Sequence, residues 1–128
     1  MNFIDLIGKH VLVVEDDYLQ ASNITLALED QGSDVIGPFP DLESSLLNLE
    51  TARIDVAVLD IHLGKELIYP VADRLEQARI PFVFATGANE SAIPDRFSRV
   101  RRLLKPFSLE ELAVELAILV ADRKVTWQ

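Results

Sequence analysis

The stretch Val56-Ala57-Val58-Leu59-Asp60 constrains the fold of this chain more than any other. An apolar run with no polar alternation suits a strand covered on both faces, the condition of a parallel sheet layered between helices. Val11 to Val14 and Phe82 to Ala85 repeat the pattern, and Ser33 to Phe39 and Val100 to Leu104 read as two further strands. The third strand is taken as Asp55 to Asp60, opening into a loop through Gly64.

Between the strands the period becomes helical. Ala21, Ile24 and Leu28 fall on one face after Asp17, and Gly32 is placed as a left-handed stop. Asp41 can cap a helix carrying Leu42, Leu46, Leu47 and Leu49. Pro70 suits the first turn of a helix that buries Val71, Leu75 and Ala78. A weak helix is expected from Ser91 to Ser98. Ser108-Leu109-Glu110-Glu111 is a capping box opening a helix with Leu109, Leu112, Leu116 and Leu119 on its core face. Residues 1–9 read as a short leader, 10–122 as the core and 123–128 as a tail. Five strand–helix alternations with right-handed crossovers give a single α/β domain over 1–128: a five-stranded parallel sheet, order 2-1-3-4-5, helices on both faces, flavodoxin-like.

Composition removes several functions. There is no cysteine, so disulfides and thiolate chemistry are excluded, and a net charge of -9 argues against a nucleic-acid-binding body. No apolar run approaches the roughly 20 residues that span a bilayer, and the N-terminus lacks a signal peptide's basic start. A cytoplasmic protein with no membrane partner is expected.

The chemistry lies where the strands end: Glu15 and Asp16, then Asp60, then Thr86, then Lys105. In a parallel sheet these endings share the carboxyl edge. Three neighbouring carboxylates repel one another and call for a cation; hard oxygen ligands with room for water suit Mg²⁺. The lysine ammonium and threonine hydroxyl complete a site for phosphoryl transfer to a carboxylate, with Asp60 as acceptor.

At these residues the chain resembles the receiver domains of two-component response regulators. Val13-Val14-Glu15-Asp16 resembles the acidic pair of that family, Leu59-Asp60 its phosphoacceptor, Thr86 its switch hydroxyl, and Lys105-Pro106-Phe107 its lysine followed by a cis proline. The resemblance implies that Asp16 ligates Mg²⁺ directly, that Glu15 helps through water, and that Asp60 and the backbone carbonyl of His62 complete the protein ligands. It implies a histidine kinase or histidine phosphotransfer protein as donor, and no turnover beyond self-phosphorylation and autodephosphorylation. Phe84-Ala85-Thr86-Gly87 is similar to the signature of the stand-alone "FAT GUY" receivers of alphaproteobacterial stress signalling, and Gly64 fits that subgroup; Ala88-Asn89 depart from it.

Arg102 occupies the position usually held by a switch aromatic, and the short segment between Thr86 and Lys105 is expected to be mobile and ordered by phosphorylation. Asp17 reads as a helix-start residue rather than a ligand. His62, flanking the site, is a candidate for tuning water access to the phosphoryl group. Arg96, Arg99, Arg101 and Arg102 form either a solvated face or a docking patch. Val114, Ile118, Ala121 and Val125 offer a second apolar stripe for a homodimer through the last helix. The competing readings are a pseudo-receiver that switches by contact alone, and an aspartate-nucleophile phosphatase. The phosphatase reading is disfavoured by His62, where such enzymes usually carry a second aspartate.

Overall fold

The computed structural model describes residues 3–87 and 93–126, with side chains at 5–87 and 93–121. Strands β1 (His10–Val14), β2 (Asp34–Phe39), β3 (Val56–Asp60), β6 (Phe82–Thr86) and β7 (Arg101–Leu104) form one sheet in the order β2-β1-β3-β6-β7, every pairing parallel. Counting only these strands, the order is the expected 2-1-3-4-5. The remaining strands, β4 (His62–Leu63) and β5 (Glu66–Leu67), form a small antiparallel hairpin. The helices are α1 (Tyr18–Asp30), α2 (Leu42–Leu49), α3 (Tyr69–Gln77) and α4 (Leu109–Thr126). Among the described residues, none is long and apolar enough to cross a membrane.

The apolar strands are buried on both faces because alternate residues feed two cores. Val11, Val13, Val58, Val83 and Ala85 join Ile24, Leu28, Leu112 and Leu116 on the α1/α4 side. Leu12, Val14, Leu59, Phe82 and Phe84 join Val71 and Leu75 on the other side, where α2 also packs. Leu6, in the leader's 3-10 turn (Phe3–Leu6), is fully buried in the first core.

Several helix ends follow from local chemistry. Asp17 accepts from the Gln20 N–H at 3.0 Å and Asp41 from the Ser44 N–H at 2.8 Å. The capping box is reciprocal: the Ser108 N–H donates to Glu111 Oε1 at 3.2 Å, and the Glu111 N–H to Ser108 Oγ at 3.0 Å. Gly32 ends α1 with φ +85°.

Four local expectations need correction. Ala78 is exposed, because α3 ends at Gln77 and the chain turns away through Arg79 at φ 59°. Leu109 is 41% exposed: it opens α4 before the helix reaches the sheet, and the core stripe is Leu112, Ala113, Leu116, Ala117 and Val120, with Leu119 partly buried beside it. The loop through Gly64 contains the β4–β5 hairpin. Of the helix expected over Ser91–Ser98, residues 91–92 lie outside the described residues, and the rest holds only a 3-10 turn, Asp95–Phe97. Pro94 caps that turn without a side-chain bond, leaving little to propagate a helix.

One irregularity positions the site. Opposite Val13, β2 carries both Gly37 and Pro38, so pairing slips between Leu12↔Ile36 and Val14↔Phe39. Pairing resumes in time for the Phe39 carbonyl to accept from the Glu15 N–H at 3.0 Å. Gly37 has φ +106°, and a Cβ there would lie 2.8 Å from the Phe39 nitrogen and 2.9 Å from the Val13 oxygen, both backbone. Gly37→Ala should therefore cost roughly 2–3 kcal/mol, read from the urea midpoint at constant m.

Candidate phosphoacceptor site

Asp60, Glu15 and Asp16 meet at the carboxyl edge of the sheet, with ligand oxygens within 4.8 Å of one another. The register explains the meeting: Val14 lies beside Leu59, so the residues after each strand emerge together. Glu15 is buried at 3% exposure and Asp60 at 6%, while Asp16 is exposed. Glu15 accepts from the Asp17 N–H at 3.1 Å, and Asp16 Oδ2 accepts from the Gly64 N–H at 3.0 Å.

Lys105 reaches in from the end of β7. Its Nζ lies 3.1 Å from Glu15 Oε1 and 3.3 Å from Asp60 Oδ1. The following peptide, Lys105–Pro106, is cis, as is Gly37–Pro38. The Lys105 N–H donates to the Thr86 carbonyl at 2.8 Å, tying together the ends of β6 and β7. Thr86 itself is buried, and its hydroxyl donates to the Gly87 carbonyl at 2.8 Å.

Burial, followed by the Glu15 carboxylate, pushes the Asp60 pKa up to about 8, against the pull of Lys105. Burial also works against the Lys105 charge, but the Asp60 and Glu15 carboxylates outweigh it and raise the Lys105 pKa. Asp16 is held below its ordinary value: burial opposes this, but hydrogen bonding with Asp60, the Gly64 N–H and Glu15 prevails. A buried acid that one ammonium cannot keep ionised lacks positive charge. Three carboxylates with converging oxygens and an open side at Asp16 fit a hard divalent cation.

His62 stands on β4 with its side chain exposed. Gly87 follows β6 directly and is the last described residue before the segment 88–92. Arg102 is exposed on β7, beside Phe84, so its charge is not buried. The arginine cluster divides: Arg96 makes two hydrogen bonds to Asp73 at 2.9 and 3.0 Å, Arg101 pairs with Glu115, and Arg99 is exposed. On α4, Val114, Ile118 and Ala121 are half-buried, while the Val125 side chain lies outside the described residues.

Sequence reasoning missed two features around the site. One is the hairpin and its bond to Asp16. Its signal was present, since Gly64-Lys65 sits between His62-Leu63 and Glu66-Leu67 as a two-residue turn. The other is Phe97, which lies in an arginine-rich stretch yet is 1% exposed. Phe97 and the Arg96–Asp73 bridge hold the described part of the segment expected to be mobile; residues 88–92 lie outside the description.

Residues 11–117 match the family model of the response regulator receiver domain. The chain belongs to that family. The solution structure of SdrG from Sphingomonas melonis Fr1 superposes with a TM-score of 0.75 at 34% identity, over 94% of this chain and 99% of that one. The BeF3-activated conformation of SdrG, from Pseudomonas melonis Fr1, matches at 35% identity with a TM-score of 0.72, over 87% and 95% of the two chains. The transcriptional regulatory protein PdtaR of Mycobacterium tuberculosis is 25% identical over 118 residues, 88% of this chain and 58% of PdtaR. The chain thus spans little more than half of that curated relative. As a receiver domain it is a module of two-component signalling, a class whose general partners are histidine kinases.

Proposed function

We propose that this receiver domain accepts a phosphoryl group on Asp60 from a phosphohistidine of a histidine kinase or phosphotransfer protein, with Mg²⁺ as cofactor. The observation that carries this reading is the approach of Lys105 Nζ to 3.3 Å from Asp60 Oδ1, on a carboxylate flanked by Glu15 and Asp16. Bound Mg²⁺ would neutralise the acidic trio, with Asp16, Asp60 and the His62 carbonyl as ligands and Glu15 contributing through water.

Asp60 must be an anion to act. One of its oxygens forms the new bond to phosphorus while the P–N bond to the donor imidazole breaks, and the proton needed by the leaving nitrogen stays with the donor. Lys105, already poised between Glu15 and Asp60, pairs with a phosphoryl oxygen. The Thr86 hydroxyl, which donates to Gly87 before the reaction, would turn to donate to the phosphoryl group. No other substrate is turned over; the acyl phosphate is lost only to a further acceptor or to water, whose access His62 flanks.

The phosphorylated state is read by protein contact or by competition for phosphate, in the cytoplasm, without nucleic acid or membrane. The Phe84-Ala85-Thr86-Gly87 stretch supports placement among the stand-alone "FAT GUY" receivers of stress signalling. The half-buried Val114, Ile118 and Ala121 support a homodimer through α4.

Beryllofluoride with Mg²⁺ tests the reading against a module that switches by contact alone. Saturable amide shifts are expected at Asp60, Thr86 and Lys105. A spectrum unchanged at all three would overturn phosphoryl acceptance.

A further inference from the structure

Asp16 is the outermost of the three acids, exposed on the connection that leaves β1. A carboxylate there would ordinarily sample several rotamers, and a cation would have to order it on binding. In this structure it is already fixed by the backbone N–H of Gly64, which donates to Oδ2 at 3.0 Å across 48 positions of chain. A hydrogen bond to a charged acceptor is among the stronger kinds.

The donor sits on a rigid support. Gly64 opens the turn between β4 and β5 with φ +64°, while Lys65 does not have a positive φ. That combination belongs to the primed turns in which glycine takes the first central position. Below the turn, Leu63 is 4% exposed, and the Ile68 N–H donates to the Ile61 carbonyl at 3.0 Å, closing the hairpin onto the second core. A Cβ at Gly64 would meet nothing within 4 Å, so space does not demand the glycine; its positive φ favours one. A proline here would supply no N–H.

We propose that the Gly64 backbone amide is a positioning group for the cation site: it holds Asp16 through Oδ2 and leaves Oδ1 for the metal. The inference rests on the functional reading above, and it makes the β4–β5 hairpin a structural wall of the cation site.

Two substitutions separate the donor from the turn. Replacing the amide between Leu63 and Gly64 with an ester removes the N–H and weakens the Leu63 carbonyl as an acceptor, while Gly64→Asn keeps the N–H and tolerates positive φ. Mn²⁺ binding, followed by the electron paramagnetic resonance of the free ion, should weaken about tenfold in the ester protein. It should stay within about twofold of wild type in Gly64→Asn. Equal binding by ester and wild type, or equal loss in ester and Asn proteins, would overturn the inference. A metal-free readout runs beside it: the Gly64 amide proton should move upfield and exchange faster in Asp16→Ala than in wild type. An unmoved resonance overturns the bond itself. Wild-type protein that binds no Mn²⁺ while the Gly64 resonance responds as expected would instead overturn the phosphoacceptor reading, and with it the amide's role toward a metal.

Discussion

Near pH 8 and without divalent cation, the Asp60→Asn protein is expected to be more stable than wild type by about 1–3 kcal/mol, a rise in Tm of several degrees. The sign follows from the site. The folded protein raises the pKa of Asp60 from 3.8 to about 8, through burial first and the Glu15 carboxylate second, so the fold binds its proton more tightly than the unfolded chain does. The resulting stability is fully present below pH 3.8 and is lost as pH rises through about 8. An asparagine does not titrate, so the variant should lack this decline. The figure is set below the full shift because Lys105, 3.3 Å away, moderates the charge of the carboxylate. Lys105 keeps Glu15, 3.1 Å away, in the variant, so no buried ammonium is orphaned. Mg²⁺ should reverse the order, stabilising wild type increasingly as pH rises and leaving Asp60→Asn almost unmoved. Thermal denaturation from pH 5 to pH 9, with and without Mg²⁺, measures all four curves. Parallel metal-free profiles for the two proteins would show that Asp60 is not the strained acid described above.

Phe97→Ala should cost about 3–4 kcal/mol, lowering Tm by roughly 10–20 °C. The ring is 1% exposed and lies 5.6 Å from Tyr69, nearly stacked at 21°. It meets Phe84 edge-on at 5.6 Å and Phe82 at 6.2 Å. Such ring pairs contribute beyond the area they bury. Arg96 covers the ring with its guanidinium 4.6 Å from the centroid while held by Asp73, so removing Phe97 also strips that arginine of its platform. Phe97→Leu, which keeps most of the volume, should lose less than half as much. The change lies between Thr86 and Lys105, so phosphoryl uptake should fall in Phe97→Ala even where the protein remains folded. Urea unfolding gives the stability; a loss below 1 kcal/mol would mean that the ring does not anchor this connection.

The sheet and its site were legible because each depends on local pattern. Val56 to Asp60 could not be half-exposed, and strand endings in a parallel sheet meet without further information. The hairpin was harder, because Glu66-Leu67 is too short to show a period, and its pairing depends on the Gly64 backbone angle. Leu109 and Ala78 were misplaced because helical spacing gives a face but not where that face stops covering the core. Phe97 was overlooked among Asp95, Arg96, Ser98 and Arg99, a composition that reads as surface. Its burial arises from Tyr69, Phe82 and Phe84, residues distant in sequence whose meeting only the fold reveals.

Phosphoryl uptake by Asp60 can be weighed directly. Wild type and Asp60→Asn should be incubated with a small phosphodonor and Mg²⁺, then weighed intact and mapped by peptide mass. Wild type is expected to gain a single hydroxylamine-labile phosphoryl group on the peptide containing Asp60, abolished by chelating the metal, and the variant none. Equal incorporation by both proteins, or a label mapped to His10 or His62, would rule out Asp60 as the acceptor.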